Sequence, residues 1–232
     1  MKSLRIGGFT PLTTTDYPGH LSAVVFCQGC PWRCGYCHNP HLIPADSPPQ
    51  IAWHDLYAFL ERRQGLLDAV VFSGGEPTLQ GELEEAIRDV RKLGFKVALH
   101  TAGMYPKRLE EILPLVDWVG MDIKAPFSQY EKITGVPGSG EKALTSAKLL
   151  LESGIAHEFR TTWHPQLLSP TDLLKLAEEL SSLGATHYVF QEFRAQGCVD
   201  EKLLAANITK MSNNAITELF APYFDEFLIR TA

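Results

Sequence analysis

The apolar positions of this 232-residue chain fall into short blocks that alternate between two periods. Residues 21–26, 68–72, 96–100, 117–122 and 187–191 are short apolar-rich runs with the length of buried strands, and 156–163 reads as a further strand in which His157, Phe159 and Thr161 alternate against Glu158, Arg160 and Thr162. Between them lie stripes with helical spacing. Trp53, Leu56, Tyr57 and Leu60 form one; Leu79, Leu83, Ile87 and Val90 a second; Leu173, Leu176, Ala177 and Leu180 a third. Trp53 and Tyr57 read as core packing rather than a substrate platform, because helix aromatics usually bury. Pro106 opens a short helix through Leu113, and 143–153 is helical, ended by Gly154. Gly94 is a C-cap, and Ser169-Pro170-Thr171-Asp172 supplies an N-cap, a proline at N1 and an acid at N3. Six strand-helix alternations predict an α/β fold with a parallel sheet, since parallel strands need crossovers. The count stops short of eight, so the barrel is open on one side.

The rest of the chain is less regular. Residues 4–9 are a short apolar-rich piece, and 10–19 are turn-rich, with Pro11 and Pro18-Gly19 as breakers. Residues 41–50 carry three prolines and form a surface connection. The glycine- and proline-rich stretch 125–140 reads as a mobile loop able to close over a protein substrate. Residues 208–220 look helical and 224–230 read as a strand. No repeat or second domain is evident, so 1–232 is expected to be one domain, with 208–232 as a C-terminal extension.

Composition narrows the function. A net charge of −6 argues against binding a nucleic-acid backbone. No apolar run approaches the roughly 20 residues of a membrane helix, and the N-terminus lacks a signal-peptide core. These features and the clustered cysteines predict a cytoplasmic protein.

Four of the five cysteines fall within 27–37, inside a loop spanning 27–40. Cys30, Cys34 and Cys37 are spaced C-x3-C-x2-C. Thiolates are soft ligands that select zinc, Cu(I) or iron–sulfur clusters. Three ligands on a four-metal cube leave one iron open for a small molecule. A zinc knuckle is the competing reading, with Cys27, His38 or His41 as fourth ligand. Cys198, alone in a loop, is a bystander. Other candidates follow the strands. Ser73-Gly74-Gly75-Glu76-Pro77 could bring backbone close to a ligand, with Glu76 as acceptor or as a helix-capping acid. Asp122 and Lys124 project on one side of their strand and could grip a zwitterion; an exposed ion pair there would be worth at most ~1 kcal/mol. His100 and Thr101 sit at a strand end, as does Gln191. Arg160, in mid-strand, is expected to point inward to a charge.

The C-x3-C-x2-C spacing with Tyr36 before the last cysteine resembles the signature of radical S-adenosylmethionine (SAM) enzymes. The longer run, from Asp16-Tyr17-Pro18-Gly19 through Cys30-Pro31-Trp32-Arg33-Cys34-Gly35-Tyr36-Cys37-His38-Asn39-Pro40, resembles the activating enzymes of glycyl-radical proteins, most of all those serving anaerobic ribonucleoside-triphosphate reductase. This resemblance implies a radical SAM fold, a partial (β/α)6 TIM-type barrel. It implies one 4Fe-4S cluster on Cys30, Cys34 and Cys37, with the SAM amino and carboxylate groups on the fourth iron. Tyr36, Gly74, Gly75, Glu76, Thr101, Asp122, Lys124, Arg160 and Gln191 would contact SAM or border it. The implied reaction is one-electron cleavage of SAM to methionine and a 5′-deoxyadenosyl radical, which takes a hydrogen atom from a glycine of the partner enzyme. Flavodoxin or ferredoxin would supply the electron, under anaerobic conditions. Cys27 is expected not to be a ligand, and no cysteine-rich insert follows Cys37 to hold a second cluster. Activation of another glycyl-radical enzyme, a small-molecule radical SAM reaction and a non-catalytic zinc module are the alternatives.

Overall fold

The six expected strands form the middle of one eight-stranded sheet. In the computed structural model, which describes residues 3–206 and 211–231, these are β2 (Ser22–Cys27), β3 (Ala69–Gly74), β4 (Lys96–Thr101), β5 (Trp118–Asp122), β6 (His157–Trp163) and β7 (His187–Glu192). β8 (Glu226–Arg230) adds to β7 in parallel, and β1 (Ile6–Thr13) adds to β2 antiparallel. The order is simply β1 to β8, so β1 and β8 are the edge strands and, among the described residues, the barrel stays open between them, with an isolated bridge from Ile6 to Ile51 on the outer side of β1.

Helices α1 (Trp53–Glu61), α2 (Leu83–Lys92), α3 (Pro106–Ile112), α4 (Tyr130–Thr134), α5 (Ser139–Ser153), α6 (Pro170–Ser182), α7 (Glu201–Ala205) and α8 (Asn213–Phe220) fill the connections. The period-two alternation of the strands sorts their side chains onto two faces. Val25, Val70, Phe72, Val97, Leu99, Val119 and Met121 join Leu56, Leu60, Ile87, Val90 and Leu150 of the helices in one continuous core. Each fully buried aliphatic or aromatic side chain there contributes about 1.5–3 kcal/mol relative to exposure. The other face looks into the barrel. There Val24, Ala69, Val71, Ala98 and Trp118 pack with Tyr17, whose ring stacks on Trp118 at 5.5 Å. This small cluster fills the interior at the N-terminal end of the strands. The α6 start is as expected: Ser169 accepts from the Asp172 amide while Asp172 accepts from the Ser169 amide.

Two expectations are corrected. Residues 10–13 are strand rather than turn; Pro11 is tolerated because β1 is an edge strand, where a missing donor need not face a neighbour. Residues 125–140 are not an open loop. They hold a 3-10 turn at Phe127–Gln129, α4 and the start of α5, with Ala125, Tyr130, Ile133, Thr134 and Ser139 buried. The glycines serve this packing. Gly135 and Gly138 take left-handed backbone angles on either side of the α4–α5 turn, and a Cβ on Gly140 would run into the Phe127 carbonyl. In the tail, α8 and β8 match the expected helix and strand, while the part of the expected helix at 208–210 lies outside the described residues. No helix among the described residues is long and apolar enough to cross a membrane.

Candidate active site

β2 delivers the chain into the cysteine loop, and backbone hydrogen bonds fix how that loop lies. Gly29 N donates to Leu42 O at 2.7 Å, Cys30 N to Ile43 O at 3.0 Å and Arg33 N to Thr134 O at 2.9 Å. The Arg33 guanidinium donates back to Cys30 O at 2.7 Å. The turn after β3 is stitched to the same loop: Gly75 N donates to Cys27 O and Glu76 N to Gly29 O, both at 2.9 Å. This approach requires both glycines. Gly74 has φ +117°, and a Cβ on either residue would collide with the Cys27 or Gly29 backbone. The glycine pair therefore answers to a neighbouring loop as well as bordering the site.

One cleft at the C-terminal ends of the strands, with about 190 Å³ of internal space, is lined by Cys30, Cys34 and Cys37 together with Tyr36, Gly74, Gly75, Thr101, Asp122, Lys124 and Arg160. His100 also lines it, as does His38, weighed above as a fourth zinc ligand; Trp32, Ile43 and Met104, which the sequence reading did not assign to the site, line it too. Glu76 and Gln191 do not. Cys27 is fully buried in the outer core. Cys198 is buried, and its thiol donates to Gly35 O at 3.5 Å.

Burial pushes the Cys30 thiol up to about 12 and the Cys34 thiol upward as well, against the opposing pull of Lys124. Such thiols ionise when a metal centre replaces the proton. Among the described residues no three His, Cys, Asp or Glu side chains converge as on a single ion. The three thiols line one cleft, and three soft thiolates suit a cluster that takes each on a different iron. The residues present thus fit a 4Fe-4S group.

The charged wall is built from β5 and β6. Asp122 Oδ1 accepts from Arg160 Nε at 2.6 Å, and Asp122 Oδ2 from Lys124 Nζ at 3.4 Å. Burial alone would raise the Asp122 carboxyl, but the Arg160 and Lys124 charges outweigh it and hold it well below the usual carboxylate range. Lys124 Nζ also stands 5.5 Å above the centre of the Tyr36 ring. Gly120 leaves the room Arg160 occupies: a Cβ there would lie 2.9 Å from Arg160 Nη1. His100 Nε2 approaches the Asp16 carbonyl at 2.7 Å. A carbonyl only accepts, so Nε2 carries the proton and Nδ1 faces the Ser73 hydroxyl at 3.3 Å. Burial, and then the Arg160 charge, lower His100 to about 3.

Glu76 lies behind this wall, fully buried. Its Oε1 accepts from Thr78 N, Thr78 Oγ1 and Thr101 Oγ1, and its Oε2 from Ala102 N at 2.9 Å. It caps the 3-10 turn Pro77–Leu79 and ties that turn to the end of β4. The acceptor and capping roles weighed from the sequence both place a carboxylate here, and in this structure its acceptor positions are taken by the chain itself. Thr101 is likewise engaged, donating to Glu76 and accepting from Gly103 N.

A family model described as the radical SAM superfamily matches residues 24–162. A Methanocaldococcus jannaschii protein assigned by name to the glycyl-radical enzyme activating enzymes is 30% identical over the whole of this chain and 97% of its own length. The pyruvate formate-lyase-activating enzyme of Clostridium pasteurianum is 36% identical over 56% of this chain; the match spans just over half, 57%, of that relative. Among solved structures, a domain of the pyruvate-formate lyase-activating enzyme from Bacteroides vulgatus superposes with a TM-score of 0.56 at 17% identity, covering 69% of this chain and 98% of that one. SuiB of Streptococcus suis, bound to S-adenosylmethionine, gives a TM-score of 0.67 at 16% identity, covering 88% of this chain and 48% of that one. These two share the fold. The chain is a radical SAM enzyme, a family that works with a 4Fe-4S cluster and SAM, and within that superfamily it belongs with the glycyl-radical enzyme activating enzymes.

Proposed function

We propose that this chain activates anaerobic ribonucleoside-triphosphate reductase by removing a hydrogen atom from a glycine of that enzyme. The observation that carries the reading is the single cleft holding three thiols, a glycine-lined backbone turn and an Asp–Lys–Arg wall. Cys30, Cys34 and Cys37 would hold the cluster, one per chain. When bound, the cluster and SAM supply the one-electron chemistry that splits the S–C5′ bond and generates the hydrogen-abstracting carbon radical.

The chain's own residues bind, orient and exclude. Asp122, ionised by its two cationic neighbours, offers an acceptor for an ammonium group. Lys124 and Arg160 offer donors to a carboxylate or to ribose oxygens. Arg160 Nη1 lies beside the protonated His100 Nε2, which cannot accept from it, and no acceptor among the described residues takes Nη2, so the guanidinium is available to a ligand. Gly74 and Gly75 present backbone with no side chain in the way. Trp32, Tyr36, Ile43 and Met104 add apolar surface that keeps water from a reactive carbon. No side chain is required as a general base. Glu76 acts from behind, fixing Thr101 and Ala102.

The choice of reductase rests on the likeness of the run from Asp16 to Pro40. The match to the Clostridium activator favours pyruvate formate-lyase as a second reading of the partner. Flavodoxin or ferredoxin is the proposed donor. The test is anaerobic reconstitution with SAM, reduced flavodoxin and each purified enzyme in turn, read by electron paramagnetic resonance. A glycyl radical on the reductase supports the proposal. SAM cleavage with no radical there, or a radical on pyruvate formate-lyase alone, overturns it.

A further inference from the structure

A ladder of alternating charge runs down the barrel interior beneath the cleft. Asp122 on β5 binds Arg160 on β6 at 2.6 Å. Arg160 Nη1 lies 3.9 Å from Glu158 Oε1, near enough to attract and too far to hydrogen-bond. Glu158 is instead gripped by both prongs of Arg230, with Nη1 to Oε1 at 2.8 Å and Nη2 to Oε2 at 2.9 Å. The Arg160 and Glu158 side chains are only 10% and 8% exposed. Neither Glu158 nor Arg230 lines the cleft, and the chemistry above uses neither.

A buried ion pair is weak evidence of stabilisation, because desolvation offsets most of its attraction. This pair has a geometric effect on its neighbour. Arg160 Nη1 also lies 3.3 Å from His100 Nε2, but that nitrogen turns its proton to the Asp16 carbonyl, so what draws Arg160 is a carboxylate, up to Asp122 at the cleft or down to Glu158. Gly120, having no side chain, leaves its guanidinium space to move along that line. Arg230 saturates both oxygens of Glu158, so the downward partner is taken. Among the described residues, removing Arg230 would leave a buried carboxylate without a hydrogen bond, beside the Arg160 guanidinium 3.9 Å away.

We propose that Arg230, acting through Glu158, sets the height of Arg160 in the cleft, so that the last strand of the sheet positions an arginine for the SAM site. This rests on the reading that Arg160 contacts the cofactor. Arg230 is a positioning residue: it would touch neither SAM nor the cluster.

The test is a set of variants reconstituted with iron and sulfide, with SAM dissociation constants measured by equilibrium binding. Iron content and cluster absorption are followed in parallel. Arg230→Met is expected to weaken SAM binding roughly tenfold, the scale of one charge-assisted hydrogen bond, with cluster content unchanged. Adding Glu158→Gln should restore most of that loss, because a neutral amide no longer pulls on Arg160. In an Arg160→Met background Arg230→Met should have no further effect on SAM. A merely structural role would instead give equal losses in both backgrounds and no rescue, and that result overturns the proposal. Wild-type SAM affinity in Arg230→Met, with Arg160→Met impaired, overturns it too. Wild-type affinity in Arg160→Met refutes the underlying reading of the site. Should Arg230→Met not accumulate as folded protein, Arg230→Lys and the Glu158→Gln/Arg230→Met pair carry the same comparison.

Discussion

Replacing Glu76 by glutamine tests whether its carboxylate belongs to the scaffold or to the cofactor. Oε1 takes three hydrogen bonds and Oε2 one. An amide oriented to keep the three would aim its NH2 at the Ala102 amide, setting two donors against each other in a fully buried place. An unsatisfied buried group costs about 1–3 kcal/mol, and the three surviving bonds lose their charge assistance, about 0.5–1 kcal/mol each. Working against these losses, burial disfavours the ionised acid and pushes the Glu76 carboxyl upward, so the neutral amide avoids that penalty. At the low end of both ranges the losses sum to about 2.5 kcal/mol, and the relief of burial brings the expected net destabilisation to about 2 kcal/mol. With an unfolding slope of about 3 kcal/mol/M, the urea midpoint should fall by about 0.7 M. The assay is urea unfolding of the metal-free protein, followed by tryptophan fluorescence. If metal-free Glu76→Gln unfolds at the wild-type midpoint and loses only SAM affinity, Glu76 serves the ligand directly and the scaffold argument fails.

Other perturbations separate further parts of the site. Alanine at Cys30, Cys34 or Cys37 should abolish the cluster, whereas Cys27→Ala and Cys198→Ala should retain about four irons per chain by chemical analysis; loss of iron in Cys27→Ala alone would refute the ligand set. Gly120→Ala puts a methyl group against Arg160 Nη1 and the Trp118 ring, and should weaken SAM binding about tenfold with cluster absorption intact; unchanged binding would show that Arg160 has slack. Acid should destabilise the metal-free protein. His100 protonates near 6.5 when unfolded but only at about 3 when folded, so its contribution, present above 6.5, is lost as pH falls through that window, at up to about 1.4 kcal/mol per pH unit. His100→Asn should flatten the unfolding free energy between pH 6.5 and 4; an unchanged slope would place the acid sensitivity elsewhere.

Much of this was legible in the chain, for identifiable reasons. Strands β2 to β5 and β7 are buried through most of their length, so they read as apolar-rich runs, and helices α1, α2 and α6 carry complete stripes. The cysteine spacing, the Gly74-Gly75 turn and the Asp122–Lys124 pair mark the cleft because each is local in sequence. What depended on distant partners was harder to see. The structural demand on Gly74 and Gly75 comes from the backbone of Cys27 and Gly29, and the demand on Gly120 from a guanidinium 40 residues later. Glu158 and Arg230 were missed because their pairing spans 72 positions. A signal existed: Glu158 and Arg160 stand two apart on β6 and so share one face, and charges buried in a strand need partners of opposite sign. The stretch 125–140 misled because glycine and proline were read as mobility, when two of those glycines make the left-handed corners of a tight helical turn.

The stacked rings of Tyr17 and Trp118 give the barrel a floor. Passage along the barrel axis is therefore shut at that end. What reaches the cleft comes over the rim where the strands finish, or sideways through the seam left between the first and last strands.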